Sequence, residues 1–505
     1  MRDPVRRLLL LLVLVLAAPA AAATIPGTVR GDLLLGSAAP DTIKSGAGND
    51  LVQAAFGGVD KVDCGAGNDL VSADLGDRVT HCETIVRRLS VDPYVNSDSQ
   101  HETAVEPDSF SFGSTVVTAF QLGRRADGAA ASIGTAVSHD AGRTWQRNTL
   151  PGVTVNSQPP GPESSASDPV VAYDALHSTW LVGTLTLEPG GSHVYVARST
   201  DGAHWSSPVD VASGPVLDKD WLACDNGASS PFRGRCYAEY TDDAKNETVS
   251  QFSNDGGATW SPPVRATGVL VGTQPVVRAD GTLVVVAGDY DNENALGGAI
   301  VAVRSTDGGA TFTRVTVSTL QSHDNDPMRA ISLPSVDIDS AGTIYASWHD
   351  CRFRANCAAN DMVISTSVDG GLTWSAPARV PIAPASSAVN VFIPGIAADP
   401  TRPGHLALVY AYDTLTACKK GACTLGIGFI TSANGGSTWS TPRQLQAQPY
   451  STDWLPRAEG GRMVGDYFSV SYAAGRVVPV FALATSPLNG RLREAIFAAS
   501  LPAGG

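Results

Sequence analysis

Acidic residues, one tyrosine and a few basic residues recur just before short apolar runs, where they could do chemistry. They lie in VEPD (105–108), SDP (167–169), LDKDW (217–221) and GDY (465–467). Carboxylates can move protons, tyrosine can act as a nucleophile, and basic groups can hold an anion. We expect catalytic roles for Asp168, Arg352, Asp466 and Tyr467, and ligand binding by Glu106, Lys219, Asp220, Gln274, Arg329 and Asp350.

A structural role competes with this interpretation at each position. An aspartate before proline or at a strand start often only satisfies nearby backbone donors. For any single residue we therefore favour structure. The group as a whole, a carboxylate-rich set with a few arginines, argues for a sugar site.

A short motif recurs six times and predicts the elements that position these residues. The copies are SHDAGRTW from Ser138, STDGAHW from Ser199, SNDGGATW from Ser253, STDGGATF from Ser305, SVDGGLTW from Ser367 and SANGGSTW from Ser432. Spacings of 52 to 65 residues indicate a repeat architecture. An alternating apolar run enters each copy and a short strand leaves it, which predicts a hairpin turn.

The motif resembles the Asp-box, or BNR, repeat S-x-D-x-G-x-T-W of the sialidase superfamily, over roughly residues 90–500. The resemblance implies an all-β protein with a β-propeller, a glycan-related function, and boxes on the face away from the active site. Three boxless strands follow the last box. We expect a strand at 90–97 to seal the ring against them, which favours seven blades with six possible, in a domain spanning 90–503.

The resemblance does not extend to the sialidase catalytic residues. Sialidases hold the substrate carboxylate with three arginines, the first in an F-R-I-P-like segment, and use a Tyr–Glu pair and an Asp. The matching region here, HETAVEPDSFSFGSTVVTAF, contains no arginine, and Arg124 and Arg125 follow in what we expect to be a loop. An exo-α-sialidase-like glycoside hydrolase and a non-catalytic propeller that binds glycan or protein both stay open.

Residues 31–85 differ in composition from the rest of the chain and contain two near-duplicate segments, SGAGNDLV and CGAGNDLV. They resemble the glycine- and aspartate-rich repeats of hemolysin-type (RTX) calcium β-rolls. Carbonyl and carboxylate oxygens suit calcium. We expect Asp50 and Asp69 to stack on one edge of a roll and Asp41 and Asp60 on the other, with calcium as cofactor. A metal-free roll held by a disulfide is the alternative.

The remaining features concern location and partners. Residues 1–23 have the basic, apolar and small-residue parts of a secretory signal, and no later segment is long and apolar enough to cross a membrane. A net charge of −14 excludes nucleic acid as a partner. We expect a secreted or cell-surface monomer that meets a glycan or glycoprotein. Its disulfides would be Cys64–Cys82, Cys224–Cys236, Cys351–Cys357 and Cys418–Cys423.

Overall fold

The computed structural model describes residues 21–188, 190–290, 297–414, 418 and 423–503. The regular structure in these residues is almost entirely β-strand, arranged as a parallel solenoid followed by a propeller. The predicted all-β class, with a propeller and a roll-like N-terminal module, is confirmed. Within the same residues, no helix has the length and hydropathy needed to cross a membrane. Most of the predicted signal segment, residues 1–20, lies outside the described residues.

The solenoid is built from short strands that alternate between two parallel sheets, with the odd-numbered strands in one sheet and the even-numbered strands in the other. Apolar side chains such as Ile43, Val52 and Val71 fill the space between the sheets. The strands are β1 (Thr24–Pro26), β2 (Leu33–Leu35), β3 (Thr42–Lys44), β4 (Leu51–Gln53), β5 (Lys61–Asp63), β6 (Leu70–Asp74), β7 (Arg78–Thr80) and β8 (Thr84–Arg88).

Six blades of the propeller each consist of four consecutive antiparallel strands. The first three blades are β9 (Ala104–Phe112), β10 (Thr115–Arg124), β11 (Ala130–Ser138) and β12 (Gln146–Thr149); β13 (Ser167–Asp174), β14 (Thr179–Glu188), β15 (Gly191–Ser199) and β16 (Val209–Gly214); and β17 (Leu217–Cys224), β18 (Cys236–Asp242), β19 (Glu247–Ser253) and β20 (Val264–Thr267). The next three are β21 (Val271–Val277), β22 (Leu283–Asp289), β23 (Gly297–Ser305) and β24 (Thr313–Gln321); β25 (Ser335–Ile338), β26 (Ile344–Asp350), β27 (Asp361–Ser367) and β28 (Ala378–Arg379); and β29 (Val389–Ala398), β30 (Leu406–Thr414), β31 (Thr424–Ser432) and β32 (Arg443–Gln444).

The chain after the sixth blade forms small elements and then returns to the ring. The small elements are β33 (Tyr450–Ser451), β34 (Arg457–Ala458), β35 (Gly461–Arg462) and the 3-10 helix Thr452–Trp454; a second 3-10 helix, Ala355–Cys357, lies in the fifth blade. The last strands are β36 (Ser469–Ala473), β37 (Arg476–Ala484), β38 (Glu494–Ala499) and β39 (Leu501–Pro502).

A composite sheet closes the ring between the sixth and first blades. It contains β36, β37 and β38 from the C-terminus and, outside them, β8 of the solenoid, with Phe497 opposite Arg88. Counting this sheet, the ring has the seven units that the sequence favoured; without it, there are the six consecutive-strand blades that the sequence left open. The expected position of the sealing strand is wrong, because residues 90–97 lie outside any strand. The strand Thr84–Arg88 seals the ring and is also the last rung of the solenoid.

The six motif copies are hairpin turns, as predicted, and each one packs against the preceding unit of the ring. In the third copy, Asp255 accepts hydrogen bonds from the backbone N–H of Thr259 at 2.9 Å and from its hydroxyl at 2.6 Å. Gly257 has a φ of 78°, and a Cβ there would lie 2.8 Å from the Leu181 side chain of the second blade. Trp260 packs against the same interface. The motif therefore joins neighbouring blades.

Arginines of one blade also bind the turn of the next. Each donates to a glycine carbonyl inside the motif: Arg198 to Gly256 at 2.7 Å, Arg235 to Gly308 at 2.7 Å, and Arg304 to Gly370 at 3.0 Å. The four predicted disulfides are confirmed, and each links residues close in sequence: Cys64–Cys82, Cys224–Cys236, Cys351–Cys357 and Cys418–Cys423. The arginine contacts join neighbouring blades of the ring, whereas Cys64–Cys82 lies in the solenoid and the other three disulfides lie within the propeller.

Candidate functional site

The inner strands of the first three blades each carry a β-bulge near their start, and each bulge presents a charged residue. These residues are Glu106, Asp168 and Lys219, with φ angles of 53°, 44° and 52°. Positive φ is uncommon for residues other than glycine and costs about 1–3 kcal/mol. Bulges of this kind are over-represented next to active sites, where they re-aim a side chain. Three successive strained, charged positions at one end of the ring therefore mark a candidate site.

These bulge residues meet Asp466, which precedes the inner strand of the closing sheet. Lys219 Nζ donates to Asp466 Oδ2 at 2.7 Å and lies 3.6 Å from Asp168 Oδ2. Arg329, from the loop between the fourth and fifth blades, also donates to Asp466. We call Glu106, Asp168, Lys219, Arg329 and Asp466 the axial cluster. Two of its five members are cations, and both contact the carboxylate of Asp466, while Lys219 also faces Asp168.

Burial and charge push the pKa values of the cluster's acids apart. Burial raises the pKa of Asp466, but the cations Lys219 and Arg329 outweigh it and hold that pKa well below its usual range. Burial, reinforced by Asp168, raises the pKa of Glu106 to about 8 despite the opposing Lys219. The backbone N–H of Asp466 donates to Glu106 Oε1 at 3.3 Å. The surroundings of these two acids thus shift their pKa values in opposite directions, as they do for the acids of acid–base pairs.

A small cavity lies at the axial end of the strands. Its volume is only about 10 Å³. The residues that line it are Lys219, Trp221, Gly272, Gln274, Leu333, Pro334, Pro394, Asp466 and Tyr467. The Trp221 ring meets the Tyr467 ring edge-on, with centroids 5.1 Å apart. Gln274 uses its side-chain oxygen to accept the backbone N–H of Val336 at 3.0 Å. A ligand at this end would therefore lie at the mouth of the cavity rather than inside it.

Tyr467 does not have the surroundings of a nucleophile in this arrangement. Its hydroxyl donates to the carbonyl of Pro169 at 3.2 Å, and its side chain is buried. Burial, reinforced by Glu106 and Asp168, raises the pKa of Tyr467 well above its usual value. The phenolate form is therefore disfavoured, and Tyr467 serves to pack the cavity wall.

Other residues expected at this site lie elsewhere. Arg352 binds Asp350 through Nε at 2.9 Å and Nη2 at 2.7 Å, and also donates to the carbonyl of Thr319 in β24. Because β24 is the outermost strand of its blade, this pair lies at the rim and is not brought to the axial cluster. Asp220 faces Gly183 of the second blade, where a Cβ would lie 2.9 Å from Asp220 Oδ2. It is fully buried between blades rather than aimed at the axis.

The sequence missed two residues that support Glu106. Gln121 donates to Glu106 and also to Ser167 Oγ at 3.0 Å, while Arg124 Nη1 lies 3.8 Å from Glu106 Oε2. Arg124 was expected in a loop, but it is the buried last residue of β10. A glutamine inside the apolar run TVVTAFQLGR was the one available signal, because a buried amide requires partners.

The solenoid carries a second candidate site on its two edges. The backbone N–H of Asp50 donates to Asp69 Oδ1 at 2.8 Å, and that of Asp41 donates to Asp60 Oδ1 at 2.7 Å. The structure thus places the two expected pairs on opposite edges. The Oδ2 atoms of Asp50, Asp60 and Asp69 are buried and have no hydrogen-bond partner among the described residues. Burial, together with neighbouring acids, raises the pKa of Asp60 to about 6.

Comparison with known proteins gives one family match and several similar folds. The family model of the BNR repeat-like domain matches residues 113–338 and again 241–474. The chain matches no curated protein in sequence.

Three solved structures illustrate the similar folds. A protein of unknown function from Dyadobacter fermentans DSM 18053 is 15% identical, with 83% of this chain and 99% of that chain covered and a TM-score of 0.45. A PL25 ulvan lyase is 11% identical, with 81% and 96% covered and a TM-score of 0.46. The NanB sialidase of Streptococcus pneumoniae is 12% identical, with 81% and 70% covered and a TM-score of 0.42.

Proposed function

Because the chain belongs to the BNR repeat-like domain family, we propose that its propeller binds glycans at the axial end of the inner strands. The observation that carries this proposal is the cavity mouth, where half-buried Trp221 stands beside Lys219, Gln274 and Asp466. An apolar or aromatic surface with a few placed polar groups is the usual composition of a small-ligand site. Arg329, whose side chain is 27% exposed, is the most accessible charged group of the axial cluster.

The charges of the axial cluster favour a neutral glycan over sialic acid. Lys219 and Arg329 both bind Asp466, so neither cation is free to receive a substrate carboxylate. Arg124 is engaged by Gln121, at 2.7 Å, and by Glu106. A bound carboxylate would also meet the ionised Asp466, and like charges at short range are unfavourable. We therefore expect hydroxyl-rich, uncharged sugars at this site.

A glycan array with the purified protein, combined with a fluorogenic sialoside assay, tests this function. We expect retention on neutral glycans, no sialoside hydrolysis, and at least tenfold weaker glycan binding by Trp221→Ala. The matched control is Trp260→Ala, which removes a tryptophan from a turn on the opposite face and should lower the melting temperature while glycan binding persists in the cold. Sialoside hydrolysis, or full glycan binding by Trp221→Ala, would contradict the proposal.

We also propose that the solenoid binds calcium along its edges, with Asp50 and Asp69 as carboxylate ligands on one edge and Asp60 on the other. The buried, unpartnered Oδ2 atoms of these residues fit a hard cation. Asp41 fits less well, because its oxygens already accept the backbone N–H groups of Ala23 and Ser37 at 2.7 and 2.6 Å. Bound calcium would neutralise the stacked carboxylates and stiffen the coils.

Calorimetric calcium titration of the full chain, with melting in calcium and in chelator, tests this site. We expect heat on titration and a higher melting temperature with calcium, both reduced in Asp69→Asn. Asp63→Asn is the matched control, since Asp63 is a half-exposed acid of the same solenoid that binds His81 at 2.8 Å. If neither heat nor a shift in melting temperature were observed, the calcium proposal would be wrong and the alternative of a metal-free roll would stand. The four disulfides support the further proposal that the protein is exported.

A further inference from the structure

A cleft between the closing sheet and the first blade lies away from the axial cluster. Its volume is about 230 Å³, and it is lined by Leu89, Ser90, Val91, Phe120, Leu122, Arg147, Asn148 and Thr149. A cavity of about 150 Å³ is enough to hold benzene. The cleft therefore has room for a molecule built around one ring.

The cleft forms because the outer part of the first blade offers little bulk towards the closing sheet. Arg147 pairs with Ala136 and Thr149 pairs with Gly134, so these four residues share one face of the blade. Ala136 belongs to the core cluster between the first blade and the closing sheet, which identifies that face. The Phe120 ring occupies the space at Gly134, where a Cβ would lie 2.3 Å from it, so the open space lies over the small side chain of Ala136, beneath Arg147.

The walls of the cleft differ in character. Leu89, Phe120 and Leu122 lie behind the cleft and are at most 2% exposed, whereas Val91, at 44% exposed, is the accessible apolar residue of its wall. Arg147 and Thr149, which are partly exposed, form its polar rim, whereas the side chain of Asn148 faces the other side of the strand and donates to the carbonyl of Ala203 at 2.6 Å. An apolar wall with a few convergent polar groups is the usual composition of a small-molecule site.

Arg147 distinguishes this cleft from an ordinary packing gap. Among the described residues, it forms neither a side-chain hydrogen bond nor an ion pair, whereas neighbouring Arg88 pairs with Asp74 and lies 4.4 Å from the Phe56 ring centroid. Burial, with the repulsion of Arg88, lowers the pKa of Arg147. A half-buried guanidinium without a partner gains most from a bound anion.

We propose that this cleft binds a small organic monoanion, with its carboxylate on Arg147 and an apolar body of about one ring against Val91. One negative charge matches the one unpaired cation. Asp74 already balances Arg88, so the second charge of a phosphate dianion would find no partner and would approach Asp74. The site is independent of the axial cluster and of the proposed glycan binding.

Calorimetry and thermal melting of the full chain with benzoate, acetate and benzamide test this proposal. Benzoate should bind saturably, at least tenfold more tightly than acetate, which lacks the ring, and than benzamide, which lacks the charge. Arg147→Met should weaken the binding of benzoate at least tenfold and leave the binding of benzamide unchanged. Arg143→Met, at an exposed arginine of the neighbouring turn, is the matched control and should bind benzoate as the parent does.

A second variant keeps the test decisive if Arg147→Met does not fold. Thr149→Phe retains the arginine but fills the cleft from the rim, and it should abolish benzoate binding. The proposal is overturned if benzoate does not bind, if benzamide or acetate binds as well, or if Arg147→Met and Thr149→Phe both bind benzoate like the parent protein.

Discussion

Lys219 and Asp466 form a buried ion pair across the propeller axis, with Nζ 2.7 Å from Oδ2 although 247 residues separate them in sequence. Lys219 lies on the inner strand of the third blade, and Asp466 precedes the inner strand of the closing sheet. The pair thus ties together opposite parts of the ring. It also fills the centre with an ammonium group, where a cage of acids could otherwise collect a metal ion.

Removing one partner of this pair should destabilise the ring strongly. Lys219→Met leaves the buried Asp466 with Arg329 alone, and Asp466→Asn leaves Lys219 with Asp168 alone, so each variant should cost up to about 3–5 kcal/mol. The double variant should recover part of that loss. Denaturant unfolding of all four proteins gives the coupling energy, and Lys245→Met, at a 63% exposed lysine, should change stability by less than about 1 kcal/mol. Additive single effects would show that the pair is not coupled.

The aspartates of the motif turns should make the protein less stable at low pH. Hydrogen bonds from Thr259 and Ser253 outweigh burial and lower the pKa of Asp255 to about 2, and the equivalent pKa values of Asp307 and Asp369 are also about 2. Because these pKa values lie below the unfolded value of about 4, their stabilising effect is present above pH 4. It should be lost as pH falls towards 2, which urea midpoints measured across this range will show.

Asparagine should replace Asp255 with little loss of stability at neutral pH. The sixth motif already carries Asn434, which accepts the backbone N–H of Thr438 at 2.8 Å and donates to its hydroxyl at 2.8 Å. Asp255→Asn should fold, and its stability should decrease less as pH falls. Asp255→Ala should lower stability by about 1–3 kcal/mol, because the N–H and hydroxyl of Thr259 lose their acceptor. Equal stability of the two variants at pH 7 would contradict this role.

Glu239, a buried acid in the third blade, should instead make the protein less stable as pH rises. Burial raises the pKa of Glu239 to about 8, although Ser250 donates to it at 2.7 Å. The unfolded chain therefore ionises first, and stability should decrease as pH rises from about 4 and level off above about 8. Glu239→Gln should remove this decrease and exceed the parent in stability at pH 9. If the stabilities of the two proteins changed with pH in parallel, this contribution of Glu239 would be ruled out.

Loss of the sealing strand should open the ring. A chain that begins at Glu83 keeps β8 beside β38, whereas a chain that begins at Ser90 exposes the edge of β38 to water and to other chains. We expect the shorter chain to melt at a lower temperature and to aggregate, as measured by calorimetry and light scattering. Equal behaviour of the two chains would show that β8 adds nothing to closure.

The sequence predicted the repeating parts well because their physical cause is local. An Asp–Gly turn between alternating strands can be identified within eight residues, so Asp255 and its equivalents were assigned correctly to turns. Glu106, Asp168 and Lys219 were predicted to lie at one end of the ring because they were expected at the starts of inner strands, where the structure places them. Their positive φ angles were not predicted, since a bulge depends on the partner strand.

The errors arise where one segment serves two neighbours or where a side chain can turn either way. Residues 84–88 complete the solenoid pattern, so the spare segment at 90–97 was taken for the sealing strand. Arg352 follows a strand that ends on the axial face, but Asp350 and a carbonyl of the adjacent blade hold it at the rim. Choices of this kind depend on contacts distant in sequence.

The double role of β8 has a consequence for how such a chain can be inherited. Within one continuous eight-stranded sheet, its two edges pair with strands of different modules, β6 of the solenoid on one side and β38 of the ring on the other. A recombination event that moved residues 24–83 alone would transfer a solenoid without its last rung, and one that moved residues 89–503 would transfer a ring without its outer seal. The smallest gene fragment that encodes either part intact must include the codons of Thr84–Arg88, so the two parts cannot be exchanged cleanly between genes.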